Sequence, residues 1–296
     1  MNGKVLRVGE ISFINCNILY YYLKKRFPLD GAEFIEGTPA RLNALLREGR
    51  LDLCLSSSIE YAKCPGEYLL LPDYCIGSRG AVPSIRLFSP LPLDRLDGAR
   101  VALTTESATT VVLCRLILGP LLGYSNQFTV LDTDLEEGLS NFDAVLLIGD
   151  RALAAGKRAE GIYSHDLSTI WQAHTGFPFV FALWILREDS ARRSRELVSA
   201  FQQSLRRTHA LIHQPEEELV AGVLAKKGFF NRAELFDYWN HIAYELTDKH
   251  IRGLQLFYCL ACESGLIPTV PEVRIFGSKK KYDTSLISLS RQNPVH

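Results

Sequence analysis

Phe34-Ile35-Glu36-Gly37-Thr38-Pro39-Ala40-Arg41-Leu42-Asn43-Ala44-Leu45-Leu46-Arg47-Glu48-Gly49-Arg50-Leu51-Asp52-Leu53-Cys54-Leu55-Ser56-Ser57-Ser58 decides the fold class. Thr38 at the N-cap with Pro39 at the first helical position predicts a helix start. Leu42, Leu45 and Leu46 share one face of that helix. Gly49 ends it. A short apolar strand follows over Leu51–Leu55, with three serines at its C-terminal end. Upstream, Val5 to Ser12 is β-like, a polar loop Ser12–Asn17 follows, and Ile18 to Lys25 is helical. This alternation of strand, loop, helix and strand is the mark of a parallel α/β sheet.

The same alternation continues downstream. Strands are expected over residues 84–89, 100–104, 127–131, 143–148 and 179–186, with a long apolar helix over 111–122. After Arg187 the chain turns helical, with candidates at 191–213, 216–227, 231–244 and 248–264; Gly265 and Pro268 stop the last. Ligands of open α/β sheets bind beyond the carboxyl ends of strands. The expected architecture is therefore two α/β lobes with a ligand cleft between them, joined by crossovers near 80–92 and 178–190.

Composition narrows the function. The chain has 296 residues, 33 Lys+Arg against 33 Asp+Glu, and 47% hydrophobic residues. That balance fits a globular protein and excludes disorder, collagen and coiled coil. A net charge of zero argues against a general nucleic-acid binder. No apolar run is long enough to span a membrane. The N-terminal residues show no secretory pattern, and the seven cysteines are scattered and odd in number. Reduced thiols in the cytoplasm are expected.

The strongest local signal is Thr104-Thr105-Glu106-Ser107-Ala108-Thr109-Thr110. Hydroxyls and backbone N–H groups gather there at a helix start, which suits a carboxylate or phosphate. Simple N-capping by Ser107 or Thr105 is the plainer alternative. Ser56-Ser57-Ser58 either faces the same cleft or is an ordinary polar loop, and Asn15 either bonds a ligand or fixes its own loop. Cys259 and Cys262 form a CxxC inside a helical pattern with no second pair, so they read as core or semi-buried thiols. His209 and His213 share a helix face but lack a third ligand, and a solvated face is expected. His165 and His174 read as surface loop histidines. Neither G-x-x-x-x-G-K-[ST], G-x-S-x-G nor G-x-G-x-x-G occurs.

Spread along residues 5–270, several segments resemble the chorismate dehydratase family of the futalosine route to menaquinone. They are Arg7-Val8-Gly9-Glu10-Ile11-Ser12-Phe13-Ile14-Asn15-Cys16, Gly37-Thr38-Pro39, Ser56-Ser57-Ser58-Ile59-Glu60-Tyr61 and the strand from Ser84 to Phe88. Further along come Val101-Ala102-Leu103-Thr104 with Ser107-Ala108-Thr109-Thr110, Leu147-Ile148-Gly149-Asp150-Arg151-Ala152-Leu153, and Thr175-Gly176-Phe177-Pro178-Phe179-Val180-Phe181-Ala182. The chain departs from the family pattern at Cys16, at Asn17-Ile18 and at Thr105-Glu106.

The resemblance implies a two-lobed periplasmic-binding-protein-like type 2 fold. Lobe 1 would comprise residues 1–86 plus 185–276 and lobe 2 residues 87–184, with a mobile tail over 277–296. It implies a hydro-lyase that eliminates water from chorismate to give 3-[(1-carboxyvinyl)oxy]benzoate. That chemistry needs no metal and no organic cofactor, and the partner is the small-molecule substrate, neither nucleic acid nor membrane. Asn15, Ser84 and Asp150 are the catalytic candidates. Asn15 would orient the departing hydroxyl or the enolpyruvyl arm, and Asp150 is the rival base to the substrate's own enolpyruvyl carboxylate, or else a structural cap. Ser56, Ser57, Ser107, Thr109 and Thr110 are the candidate substrate contacts. The alternatives are the sister enzyme that cleaves cyclic dehypoxanthine futalosine, whose histidine is missing after Gly149-Asp150, a solute receptor, and a cytoplasmic carboxylate-binding module without catalysis.

Overall fold

A computed structural model describes residues 5–278 and Tyr282. The expected tail over 277–296 lies almost wholly outside the described residues. Among the described residues no helix is long and apolar enough to cross a membrane.

The N-terminal part runs β1 (Leu6–Glu10), α1 (Ile14–Lys25), β2 (Ala32–Glu36), α2 (Pro39–Arg47), β3 (Leu53–Ser57), α3 (Ser58–Lys63) and β4 (Tyr68–Ser78). The middle part runs β5 (Ile85–Ser89), β6 (Arg100–Leu103), α4 (Ala108–Leu116), β7 (Gln127–Val130), α5 (Leu135–Asn141), β8 (Ala144–Ile148), α6 (Gly149–Gly156), β9 (Tyr163–Asp166) and α7 (Leu167–Thr175). The chain then returns through β10 (Val180–Arg187), α8 (Glu188–Arg193), α9 (Arg195–His209), α10 (Glu217–Lys226), α11 (Arg232–His241), β11 (Ile242–Glu245) and α12 (Asp248–Glu263).

Two mixed sheets result, in the orders β11-β4-β10-β3-β1-β2 and β7-β6-β8-β5-β9. In the first, β1 pairs in parallel with β2 and β3, and β10 inserts antiparallel between β3 and β4. The central strands β3 and β8 are buried at every position, as strands covered on both faces should be. The chain leaves the first sheet after Ser78 and re-enters it at Val180, with β5 already in the second sheet at Ile85. The passages between sheets thus fall a few residues ahead of the expected limits at 86/87 and 184/185. They are bonded to each other: Ser78 N–H donates to Phe179 O at 2.9 Å, and Phe179 N–H donates to Ser78 Oγ at 2.9 Å.

Several sequence-based limits shift. The Thr38–Pro39 helix start is as expected, with Thr38 Oγ1 accepting from Arg41 N–H. Of the loop expected at Ser12–Asn17 only Ser12 and Phe13 remain, and residues 14–17 form the first turn of α1. Ser56 and Ser57 belong to β3 rather than to a loop. The helix expected over 231–244 stops at His241 and continues as β11, because Ile242, Ala243 and Tyr244 are buried on the edge of β4. His209 is not on a solvated face. Its ring lies 5.0 Å from that of Tyr74.

Candidate active site

A cavity of about 520 Å³, counting its mouth, opens between the two sheets. Its walls come from both. Ile11, Phe13, Asn15, Cys16, Ser57, Ile76 and Phe181 belong to the first, and Ser84, Ile85, Glu106, Ser107, Thr110, Ile148 and Gly149 to the second. Apolar walls with a few converging polar groups are what a small-molecule site requires.

The cavity gathers helix N-termini. Asn15 and Cys16 sit in the first turn of α1, Pro39 opens α2, Ser107 caps α4, and Gly149 opens α6. Each such end carries a partial positive charge and N–H groups without intrahelical partners. No lysine or arginine lines the cavity among the described residues. The polar groups in its walls are hydroxyls, the Asn15 amide, the Glu106 carboxyl and helix N-termini.

Around this cavity the candidate residues divide. Asn15, Ser57, Ser84, Ser107 and Thr110 line it, whereas Ser56, Thr109 and Asp150 do not. Ser56 fails because side chains alternate along a strand: with Ser57 facing the cavity, Ser56 is turned to the other face of β3 and is fully buried. Thr109 is spent between the lobes. Its Oγ1 accepts from Ile59 N–H at 3.0 Å and lies 3.3 Å from Ser58 Oγ, which itself donates to Val180 O at 2.8 Å. Thr109 therefore ties α4 to the start of α3.

Asp150 is placed as a cap. Its Oδ1 accepts from Ile14 N–H at 3.3 Å, serving the start of α1 where Phe13 offers no side-chain cap. Its Oδ2 pairs with Lys227 Nζ at 2.6 Å. Next to it, Gly149 adopts φ +57°, and an added Cβ would stand 3.2 Å from the Phe13 ring. Only glycine suits both the left-handed backbone and this close approach of the lobes.

Asn15 is well braced. Tyr244 Oη donates to its carbonyl at 2.9 Å, and Trp239 Nε1 donates to Ile14 O at 3.0 Å. The side-chain Oδ1 of Asn15 is buried and has no hydrogen-bond partner among the described residues, which leaves it free to accept from a ligand. Ser84 is held at its backbone, where its carbonyl accepts from Gly149 N–H at 2.8 Å, and its side chain lies beside buried Tyr238. Ser107 Oγ accepts from Thr110 N–H at 3.2 Å and lies 3.0 Å from Thr110 Oγ1. Ser107 thus caps α4 and stands in the cavity wall at the same time.

Among the described residues two titratable side chains line the cavity. Burial, with Asp150 and Cys54 nearby, drives the Cys16 thiol far above its ordinary range, so it is no nucleophile at neutral pH. Glu106, just ahead of the α4 cap, is half-buried, with its N–H donating to Thr104 Oγ1 at 3.1 Å. Desolvation raises its pKa; Arg151 opposes this, and Asp132 and Asp150 reinforce it. Sequence reading singled out the hydroxyls around Glu106 and passed over the acid itself. The one available signal was a carboxyl embedded in that hydroxyl run.

Comparison with known proteins agrees with this geometry. A chorismate dehydratase from Thermus thermophilus is 34% identical over 265 residues, covering 84% of this chain and 93% of the relative. Among solved structures, a protein from Archaeoglobus fulgidus superimposes with a TM-score of 0.71 at 17% identity, covering 90% of this chain and 100% of that one. The periplasmic aliphatic sulphonate binding protein of Escherichia coli gives 0.67 at 18% identity, covering 92% and 97%. The fold is thus that of the two-lobed periplasmic binding proteins, with its cleft at the cavity described. The sequence profile for menaquinone biosynthesis matches residues 6–263, and the chain belongs to that family.

Proposed function

We propose that the protein is a hydro-lyase that dehydrates chorismate to 3-[(1-carboxyvinyl)oxy]benzoate on the futalosine route to menaquinone, in the cytoplasm. The observation that carries the reading is the convergence of four helix N-termini and a set of hydroxyls on one cavity with no lysine or arginine in its walls among the described residues. Chorismate is a dicarboxylate with an apolar ring, and this cavity offers anion-stabilising ends and apolar walls together. The likeness to a chorismate dehydratase over most of the chain supports the same reading. Seven free thiols suit a reducing compartment.

The reaction removes the C3 proton and the C4 hydroxyl, and the new double bond completes an aromatic ring. Ser107 and Thr110 at the α4 start bind one carboxylate. Ser57 and Ser84 bind the other or the hydroxyl, and Asn15 orients the leaving group or the enolpyruvyl arm. The enolpyruvyl carboxylate, held over the ring, takes the C3 proton. Confinement in a near-attack geometry supplies much of the acceleration.

The test is to incubate purified protein with chorismate and to follow products by liquid chromatography and mass spectrometry. Formation of an aromatic product lighter by one water, absent without protein, is the expected result. Unchanged chorismate from folded protein refutes the proposal.

A further inference from the structure

We propose that Glu106 is the general acid of this reaction, donating its proton to the departing C4 hydroxyl so that water, and not hydroxide, leaves. The inference rests on the dehydratase reading above and adds to it a group with no role assigned so far.

Three observations carry it. Among the described residues Glu106 is the one carboxyl that lines the cavity. It stands in the turn that brings Ser107 and Thr110 to the same wall, so it lies beside the anion-binding end of α4. The groups acting on it are Arg151 and Asp150 from α6 and Asp132 from the loop after β7; Arg151 itself is ion-paired with Asp132. Partial burial and the two aspartates favour the neutral acid, and Arg151, which opposes them, is itself engaged with Asp132. A dianionic substrate entering a cavity with no cationic side chain in its walls among the described residues adds like charge next to Glu106 and drives it further towards its protonated form. A neutral carboxylic acid in such a place has one function that a serine lacks: it can give up a proton.

The step balances. The C3–H electron pair becomes the new ring π bond, and the enolpyruvyl carboxylate receives the C3 proton. The C4–O bond breaks with its electron pair on oxygen, and Glu106 Oε–H protonates that oxygen to water. Glu106 is left ionised, and the product's carboxylic acid returns a proton to it directly or through solvent before the next turnover.

The experiment compares wild type, Glu106→Gln and Glu106→Asp by steady-state kinetics against pH, with binding of the aromatic product measured by calorimetry. Glu106→Gln removes a desolvated carboxyl and keeps its shape, so it folds at least as stably as wild type, and thermal melting checks this. General acid catalysis is worth about 10²–10⁴-fold. The expected result is a fall of that size in kcat with KM and product affinity within about threefold. The wild-type loss of kcat at high pH disappears in Glu106→Gln, and Glu106→Asp recovers part of the rate with that limb restored. Wild-type kcat and the same basic limb in Glu106→Gln overturn the proposal and leave the dehydratase reading intact. So does a rise in KM with kcat unchanged, which assigns Glu106 to binding alone. Absence of dehydration by wild type overturns both.

Discussion

Thr109→Val tests whether this hydroxyl joins the lobes or touches substrate. Valine keeps the shape of the buried side chain and removes the acceptor. Ile59 N–H, at the start of α3, then loses its 3.0 Å partner. Ser58 Oγ loses a 3.3 Å neighbour but keeps its 2.8 Å bond to Val180 O. One buried donor is therefore left unmatched, which costs about 1–3 kcal/mol. We take about 2 kcal/mol for the whole change, because Ser58 stays satisfied. Thr109→Ser is the control. It keeps the acceptor and loses one buried methyl, worth about 0.8 kcal/mol. Urea unfolding followed by tryptophan fluorescence reads both, with the midpoint falling at unchanged slope. The valine variant is expected to be the less stable of the two. Loss of less than about 0.5 kcal/mol in Thr109→Val, or equal loss in both variants, refutes the assignment.

Three further outcomes are expected. Gly253→Ala places a Cβ inside the contact distance of the Pro178 carbonyl, at the passage back into the first sheet; overpacking of this kind costs about 1–3 kcal/mol, read as a lower midpoint in the same unfolding assay. Asn15→Ala is expected to cut turnover at least tenfold while stability changes by less than about 1 kcal/mol, because the helix start is braced through backbone bonds from Tyr244 and Trp239 that remain. Asp52 is nearly inaccessible and accepts from Arg7, Ser190 and Arg193. Burial pushes its pKa up, but the bonds from Arg7 and Ser190 and the Arg7 charge outweigh that and hold it below the ordinary carboxylate range. Its folded value is depressed, so its stabilisation is full above the unfolded value of about 3.9 and disappears as pH falls through the folded one. Asp52→Asn should therefore unfold more easily at pH 7 by about 3 kcal/mol, with the gap to wild type closing on acidification.

The parts of the fold that rest on local signals were legible. The Thr38-Pro39 start and the apolar strand after Gly49 needed only capping chemistry and periodicity. What was misread was decided by distant partners. The start of α1 has no cap of its own; Asp150, far along the chain, supplies it across the cleft. β4 was missed because Pro72 lacks a ladder donor and Asp73 adopts φ +76°, which break its pattern. β11 carries helical composition, and only the free edge of β4 draws it into a sheet. At the site, strand alternation separates Ser57 from Ser56, but one must know that both lie in the strand. The hydroxyls of Ser107 and Thr110 were visible as a cluster. The role of Thr109 between them depends on where α3 stands.

The strand order also dictates when the protein can assemble on the ribosome. β5 to β9 are contiguous in the chain, so the second sheet can close as soon as its last strand has emerged. β4 cannot: both its neighbours, β10 and β11, are synthesised more than a hundred residues later. Until then an eleven-residue strand waits with both edges unpaired, the state most open to wrong pairing. A chain halted after β9 has emerged and before β10 has would therefore carry a finished second sheet attached to an unfinished first one, and this interval is where a chaperone matters most.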